Sequence, residues 1–122
     1  MPEEGEFAVS IARRAGLLLK DRFTEKHRVD YKGEIDLVTE ADRMSEQLLM
    51  AEIRRQFPEH GILSEETAEV ETPSRYRWVI DPLDGTTNYA HGFPMFCVSI
   101  ALEKDGHIIT GVIYNPVSEE LF

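Results

Sequence analysis

The chain has 122 residues and a hydrophobic content of 42%, which is enough for one packed domain and too high for a disordered segment. Its formal charge of −10, from 23 acidic and 13 basic residues, argues against nucleic acid or an anionic membrane surface as the main partner. The single cysteine, Cys97, cannot form an internal disulfide, and we expect an inert buried thiol in a cytoplasmic protein. The first residues are acidic and lack the apolar stretch of a signal peptide, and no apolar run reaches membrane-spanning length. We therefore expect neither a signal peptide nor a transmembrane helix.

A first amphipathic helix is predicted near the start of the chain, because apolar residues recur there at steps of three and four. The pattern extends from about Glu3 to Arg22. The stripe predicted to face the core consists of Phe7, Ala8, Ile11, Ala12, Ala15, Leu18 and Leu19.

A second helix is predicted after Glu34 to Val38, a segment typical of a short strand or an extended approach. Thr39 is expected to cap this helix, with Asp42 at the capping-box position. Pro58 is expected to end it near Phe57. The predicted inner side consists of Met44, Leu48, Ala51 and Ile53.

The rest of the chain is dominated by β-rich segments that are separated by turn residues. Asp105 followed by Gly106 is a strong hairpin signal, because Asp-Gly suits a two-residue turn between antiparallel strands. The predicted strands are Gly61–Ser64, Tyr76–Ile80, Met95–Glu103, His107–Tyr114 and the beginning of one at Glu119–Phe122, with a mobile acidic loop at Thr67–Ser74 and a turn at Asn115–Ser118. Two helices followed by these strands predict an α+β fold, with both helices on one face of a largely antiparallel sheet.

The most informative segment is Ile80 to Thr87, which reads IDPLDGTT. Its two carboxylates, Asp81 and Asp84, follow an apolar strand and flank a proline that favours an extended conformation in the residue before it. The chain can then turn so that both carboxylates and the carbonyl of Leu83 converge on one point. Such oxygen ligands suit Mg²⁺, which combines one or two protein carboxylates with the oxygens of a phosphate.

The residues after these acids suit the phosphate itself. Gly85 has no Cβ atom, so its backbone can approach a ligand closely. Thr86 and Thr87 are expected to cap a helix whose first N–H groups point outward. The alternative is an ordinary turn in which Asp84 and Gly85 make the bend. An isolated Asp-Gly step would favour that alternative, whereas the whole string favours a ligand site.

Three further acids are candidates for the same site. Glu65 and Glu66 end one predicted strand as Asp81 ends another, so one of them would reach the Asp81 cation if the two strands are neighbours. A solvated loop entrance explains this pair equally well. Asp42 is predicted in the first turn of the second helix, where capping and dipole compensation alone would account for it.

Three ordered segments resemble the inositol monophosphatase family, whose members are Mg²⁺-dependent, lithium-sensitive phosphomonoesterases. The segments are DLVTEAD, SEET and the highly specific WVIDPLDGTTNYAHGFP. The similarity covers the entire chain, from the first helix to the final VIYNPVSEELF. Family members are much longer, and their second half supplies one more aspartate to the second metal ion and the residues that grip the alcohol. The resemblance therefore implies that residues 1–122 are the N-terminal α+β portion of such a domain, without its C-terminal half.

The resemblance also implies a set of metal ligands. Glu65, Asp81 and the carbonyl of Leu83 would bind a first metal ion. Asp81 and Asp84 would share a second. Asp42 and Glu65 would lie beside a third, weaker position, partly through water.

Further roles follow from the same resemblance. Thr86 would help to position the attacking water, and the N–H groups of Gly85 and Thr86 would hold the phosphate. Glu66 matches a family position without a clear ligand role, and His91 is better explained as a structural histidine than as an acid or base. Water activated by the metal ions would attack directly, without a phosphoenzyme.

The implied substrate is an inositol monophosphate, hydrolysed by a homodimer. Relatives with the same metal motif act on fructose 1,6-bisphosphate, histidinol phosphate or a 3′-phosphoadenosine nucleotide, but the continuation TTNYAHGFP favours the inositol branch. A second hypothesis is a non-catalytic module that dimerises or binds another protein, since some bacterial members act with the transcription machinery. A metal-sensing or purely structural fragment is a third.

Overall fold

The computed structural model describes residues 2–26, 34–64, 69–91 and 93–122. These ranges form α1 (Pro2–Lys26), α2 (Glu34–Gln56), β1 (Gly61–Ser64), β2 (Tyr76–Asp84), α3 (Thr86–Ala90), β3 (Cys97–Lys104), β4 (His107–Asn115) and β5 (Glu120–Leu121). The strands form one sheet in the order β1-β2-β3-β4-β5, in which β1 and β2 are parallel and each later pair is antiparallel. The predicted α+β fold is confirmed. None of the helices in these ranges combines the length and the hydropathy needed to cross a bilayer.

The hydrophobic core lies between one face of the sheet and the first two helices. Successive side chains of a strand point to opposite faces, and the register places Trp78 opposite Leu102 and Ile80 opposite Ile100. All four of these side chains are buried. The buried apolar side chains of this sheet face are Ile62, Trp78, Ile80, Val98, Ile100, Leu102 and Val112.

The predicted stripe of α1 packs into this core. Its buried members are Ala8, Ile11, Ala12, Ala15 and Leu19, whereas Phe7 and Leu18 are half-buried at the margins. Small side chains allow the helix backbone to approach the sheet closely. The two elements lie close together at Gly16, where a Cβ atom would be 2.7 Å from the ring of Tyr114.

α2 begins at Glu34, so the strand or extended segment predicted at this point is wrong. Thr39 and Asp42 lie inside the helix, and the predicted cap is therefore also wrong. The physical reason is that no glycine or proline interrupts this helix, and extending a helix by one residue costs much less than nucleating a new one. The predicted end is confirmed, because the helix stops at Gln56, shortly before Pro58.

The inner face of α2 is more polar than predicted. Ala51 is exposed, contrary to prediction, Met44 and Leu48 are half-buried, and Ile53 is buried as predicted. The buried stripe consists of Ala41, Asp42, Ser45, Glu46, Leu49 and Ile53. These positions follow the helical period, but three of the six are polar. The prediction considered apolar residues only and therefore identified a stripe of α2 next to the one that is buried.

The predicted hairpin joins β3 and β4. Asp105 and Gly106 have φ values of 53° and 83°, as the tight turn between twisted antiparallel strands requires. The acidic loop predicted at Thr67–Ser74 lies partly outside the described residues. Its described part is attached to β1, because the N–H and carbonyl groups of Val70 both bond to Ile62.

An aromatic cluster closes one end of the core. The indole N–H of Trp78 donates to Nδ1 of His60 over 3.0 Å. The His60 ring also stacks on the rings of Phe57 and Tyr76, with centroid distances of 4.9 Å in both cases. Burial lowers the pKa of His60. The neutral imidazole is therefore the form that fits this cluster.

Gly16→Ala is expected to destabilise the protein by about 1–3 kcal/mol, because the new methyl group would overlap the Tyr114 ring and crowd Pro116. Gly5→Ala is the matched control in the same helix, since its Cβ atom would meet only Oγ1 of Thr110, at 3.9 Å. The control should gain roughly 0.5–1 kcal/mol from helix propensity. Chemical denaturation measures both changes. Equal effects at the two glycines would contradict the close packing of α1 on β4.

The protein is expected to lose stability as the pH falls below 6.5, the ordinary pKa of a histidine. Because burial lowers the pKa of His60 in the folded state, against the weaker opposing effect of Glu4 and Glu59, the unfolded chain takes up this proton first. The contribution of His60 is therefore complete above pH 6.5 and is lost as the pH falls through the folded-state pKa. Thermal melting across this window should show a smaller decline for His60→Gln, which keeps an acceptor for Trp78 but does not titrate. The same decline in both proteins would disprove the assignment.

Candidate active site

β2 continues through the acidic motif and does not end at Ile80 as predicted. Its ladder with β3 pairs Asp81 with Ser99 and then resumes at Asp84, opposite Cys97. Three steps on β2 therefore match two steps on β3, which is a β-bulge. The cause is the proline between the two acids, which has no N–H group to donate to a neighbouring strand.

The bulge separates its carboxylates from its apolar side chains. Pro82 and Leu83 are buried, whereas Asp81 is half-buried and Asp84 is exposed. The backbone N–H of Leu83 donates to Oδ1 of Asp81 over 3.3 Å. This bond closes an Asx-type turn at Asp81. The alternative considered above was a turn in which Asp84 and Gly85 make the bend, so the observed turn begins at a different aspartate.

Gly85 connects the bulge to α3 in a left-handed conformation, with φ 91° and ψ 40°. A Cβ atom here would lie 3.0 Å from the carbonyl oxygen of Met95 and 3.3 Å from Cα of Phe96. Gly85 is also the N-cap residue, so the prediction that Thr86 and Thr87 cap this helix is wrong. The first N–H groups of a helix have no acceptor within it. Gly85 has no side chain that could accept a hydrogen bond from them.

α3 is held by one contact that is distant in the sequence and by two that are local. The hydroxyl of Tyr89 is buried and donates to the carbonyl of Leu19 in α1 over 2.9 Å. The side-chain amide of Asn88 donates to the carbonyl of Met95, also over 2.9 Å. His91 follows the helix, is exposed, and bonds back to α3 through its backbone N–H. The start of α3 is therefore fixed relative to the bulge.

α2 contacts the ends of both β1 and β2. The hydroxyl of Ser45 donates to the carbonyl of Pro82 over 2.7 Å. The hydroxyl of Ser64, the last residue of β1, donates to Oε2 of Glu46 over 2.6 Å. Sequence reasoning missed Ser45 and Glu46. Their spacing could have revealed them, because they follow Asp42 by three and four residues and so share its helix face.

Asp42 is buried, with 7% of its surface exposed, one helical turn before Ser45 and Glu46. Its position inside α2 removes the helix-capping explanation for this carboxylate. The position of Asp42 on the face that contacts both strand ends therefore favours a role at the site.

β1 and β2 are parallel neighbours, which is the condition under which Glu65 or Glu66 would approach Asp81. Ser64 pairs with Ile80, the residue before Asp81. Glu65 and Glu66 themselves lie outside the described residues. Within the described ranges, no group of three or more histidine, cysteine, aspartate and glutamate side chains is arranged to hold a metal ion.

Cys97 lies beside the site although it is distant from the motif in the sequence. Its Sγ atom is 3.8 Å from Oδ2 of Asp84. The side chain is half-buried and not fully buried as predicted. Burial, reinforced by the charge of Asp84, raises the pKa of the Cys97 thiol to about 11. The thiol is therefore protonated at neutral pH and is not poised to act as a nucleophile.

Comparison with known proteins agrees with the resemblance in the sequence. The model of the family described as "Inositol monophosphatase family" matches residues 2–122. An inositol-1-monophosphatase of Mesorhizobium japonicum is 48% identical over 117 residues. The solved structure of the extragenic suppressor protein suhB from Bartonella henselae matches with a TM-score of 0.86 at 42% identity. That of an inositol monophosphatase from Anabaena (Nostoc) sp. PCC 7120 matches with a TM-score of 0.84 at 42% identity.

The matches cover nearly all of this chain but only the N-terminal part of each relative. They extend over 93% of this chain and 44% of the Mesorhizobium protein. The corresponding shares are 96% and 45% for the Bartonella structure, and 99% and 43% for the Anabaena structure. The chain thus spans less than half the length of these relatives.

Gly85→Ala is expected to cost more stability than Gly106→Ala. Both glycines have positive φ values, 91° and 83°, so an alanine at either position carries a similar backbone strain of about 1–2 kcal/mol. Only at Gly85 would the Cβ atom also press on the backbone of Met95, since nothing lies within 4 Å of the one at Gly106. Chemical denaturation of the two variants isolates this contact. Equal losses would show that the bulge can move away from Met95.

Proposed function

The chain belongs to the inositol monophosphatase family, and from this we propose that it is the N-terminal part of a Mg²⁺-dependent phosphatase. The observation that carries the proposal is the bulge from Asp81 to Asp84, which displays two carboxylates directly before the uncapped helix start behind Gly85. Such an arrangement suits a cation and a phosphate group held side by side.

The donor chemistry at the bulge fits Mg²⁺, because Asp81, Asp84 and the carbonyl of Leu83 are all hard oxygen ligands. We propose that Glu65, Asp81 and the Leu83 carbonyl bind a first metal ion. Asp81 and Asp84 would share a second. The burial of Asp42 on the facing helix supports its placement, with Glu65, beside a third and weaker position.

The chain's own groups would then bind the phosphate and direct the water. The N–H groups of Gly85 and Thr86 would bind phosphate oxygens, aided by the partial positive charge of the helix start. Thr86, whose side chain is exposed in the first turn of α3, would orient the attacking water. Mg²⁺, when bound, would neutralise phosphate charge and make that water more acidic. Attack by this water would be direct, without a phosphoenzyme, because the carboxylates of Asp81 and Asp84 serve as metal ligands in this proposal and not as nucleophiles.

We propose an inositol monophosphate as the substrate. The Mesorhizobium and Anabaena relatives, which are named as inositol monophosphatases, support this choice. Fructose 1,6-bisphosphate, histidinol phosphate and 3′-phosphoadenosine nucleotides are the competing phosphate esters. Sensitivity of the activity to Li⁺ belongs to the same proposal.

The proposal extends to a cytoplasmic homodimer that binds neither membranes nor nucleic acid. The formal charge of −10 supports the exclusion of polyanionic partners. Exposed apolar side chains on β4 support self-association, since Ile108, Ile109 and Ile113 are 68%, 46% and 46% exposed. The cytoplasmic location rests on the single free cysteine.

Asp81→Asn in the full-length protein is expected to abolish Mg²⁺-dependent release of phosphate from inositol 1-phosphate, because the amide removes one negative charge and one ligand oxygen from both proposed metal positions. The fold should persist, since Asp81 is only half-buried. Phosphate release with and without Li⁺ and a circular dichroism melt measure activity and fold. Asp21→Asn, on the exposed side of α1, is the matched control and should turn over normally.

Normal turnover by Asp81→Asn would disprove the ligand assignment. A wild-type protein that releases phosphate only from one of the competing esters, or that is insensitive to Li⁺, would place it in another branch of the superfamily. A wild-type protein that is inert toward every ester would favour the non-catalytic binding module. That module should keep its partner when Asp81 and Asp84 are both changed to asparagine.

A further inference from the structure

We infer that Ser45 is a positioning residue, which fixes the Asp81 carboxylate through the peptide group between Pro82 and Leu83. The inference rests on the proposed function, because Asp81 is a metal ligand only under that proposal. Ser45 lies outside the three segments that carry the family resemblance. Its role comes from the contacts of α2 with the bulge.

A single peptide group links Ser45 to Asp81. The carbonyl of Pro82 and the N–H of Leu83 belong to the same planar unit. The carbonyl accepts a hydrogen bond from the Ser45 hydroxyl over 2.7 Å, and the N–H donates to Oδ1 of Asp81 over 3.3 Å. The plane cannot rotate its N–H away from Asp81 without also breaking the bond from Ser45. A donor on the carbonyl further polarises the amide and strengthens the bond that its N–H makes.

Backbone pairing contributes little to the orientation of this peptide group. The ladder with β3 is paired at Asp81 and at Asp84 but is irregular between them. Within the described ranges, β1 pairs with β2 only as far as Ile80. The described backbone pairing with β1 and β3 thus leaves the peptide group between Pro82 and Leu83 unsupported. The hydrogen bond from the Ser45 hydroxyl fixes its plane.

Burial makes this contact hard to replace. Ser45 is fully buried, Leu83 is 1% exposed, and Pro82 is buried as well. A carbonyl that loses its donor in such a place cannot turn to bulk water, so the peptide group must move or remain unsatisfied. Asp81 is half-buried and borders the solvent. A shift of the buried peptide group would thus move the carboxylate of Asp81, to which it is hydrogen-bonded.

The next residue of α2 holds the neighbouring strand. Glu46 accepts a hydrogen bond from Ser64, which ends β1 immediately before Glu65. Two consecutive residues of one helix therefore contact the ends of the two strands from which the proposed ligands come. α2 acts as a template that sets the relative position of β1 and the bulge.

The test is Mg²⁺ binding to the substrate-free full-length protein, measured by calorimetry and compared with the Mg²⁺ dependence of phosphate release. Ser45→Ala should raise the Mg²⁺ dissociation constant about tenfold, as is typical when a group that orients a metal ligand is lost. KM for inositol 1-phosphate at saturating Mg²⁺ should remain close to the wild-type value. Ser45→Cys keeps the volume but offers a weaker donor, and it should give a smaller loss.

Two controls separate positioning from stability. Ile53→Val shortens a buried side chain of the same helix without touching the bulge, and Ser10→Ala removes an exposed hydroxyl from α1. Both should bind Mg²⁺ like the wild type. The inference is overturned if Ser45→Ala also binds like the wild type, or if Ile53→Val loses as much affinity. A wild-type protein that neither binds Mg²⁺ nor releases phosphate would refute the proposed function itself.

Discussion

A proline inside an interior strand is the constraint from which the geometry of the site follows. β2 lies between β1 and β3, and Pro82 cannot donate to either neighbour. The chain therefore bulges between Asp81 and Asp84, burying the two residues between them and leaving the carboxylates at the surface. The carbonyl of that proline still needs a donor in a buried place, which Ser45 supplies from α2. The bulge thus creates a buried acceptor, and the packing of α2 beside it places a donor within reach.

Several groups at the solvent edge of the candidate site are supported by buried hydrogen bonds. Ser45 supports the bulge that carries the two carboxylates, Glu46 supports the end of β1, and the bond from Tyr89 to Leu19 holds α3. These supports cost free energy as isolated polar groups, and they are tolerated because each has a hydrogen-bond partner. This arrangement fits a site that holds charge at a solvent edge, because the buried hydrogen bonds restrict the movement of the proposed ligands.

Sequence reasoning succeeded where the chemistry is local. The hairpin at Asp105 and Gly106 follows from the backbone freedom that its two residues allow, and the stripe of α1 follows from its period. It failed at Thr39 because a plausible cap does not stop a helix that can begin earlier, at Glu34. Polar side chains count as solvent-facing in such reasoning, so Ser45 was overlooked although it is fully buried. The contact between Cys97 and Asp84 depends on the pairing of β2 with β3, and no spacing along the chain reveals it.

The distances along the chain between the supporting partners have a consequence for protein engineering. The bond from Ser45 to Pro82 joins residues 37 positions apart, and that from Tyr89 to Leu19 joins residues 70 apart. A peptide carrying only the acidic string, or a foreign strand into which it had been transplanted, would have the proposed ligand oxygens without the scaffold that orients them. The acidic string therefore identifies the candidate site but would not reproduce its geometry alone. A graft would also have to include the faces of α1 and α2 that make these supporting contacts.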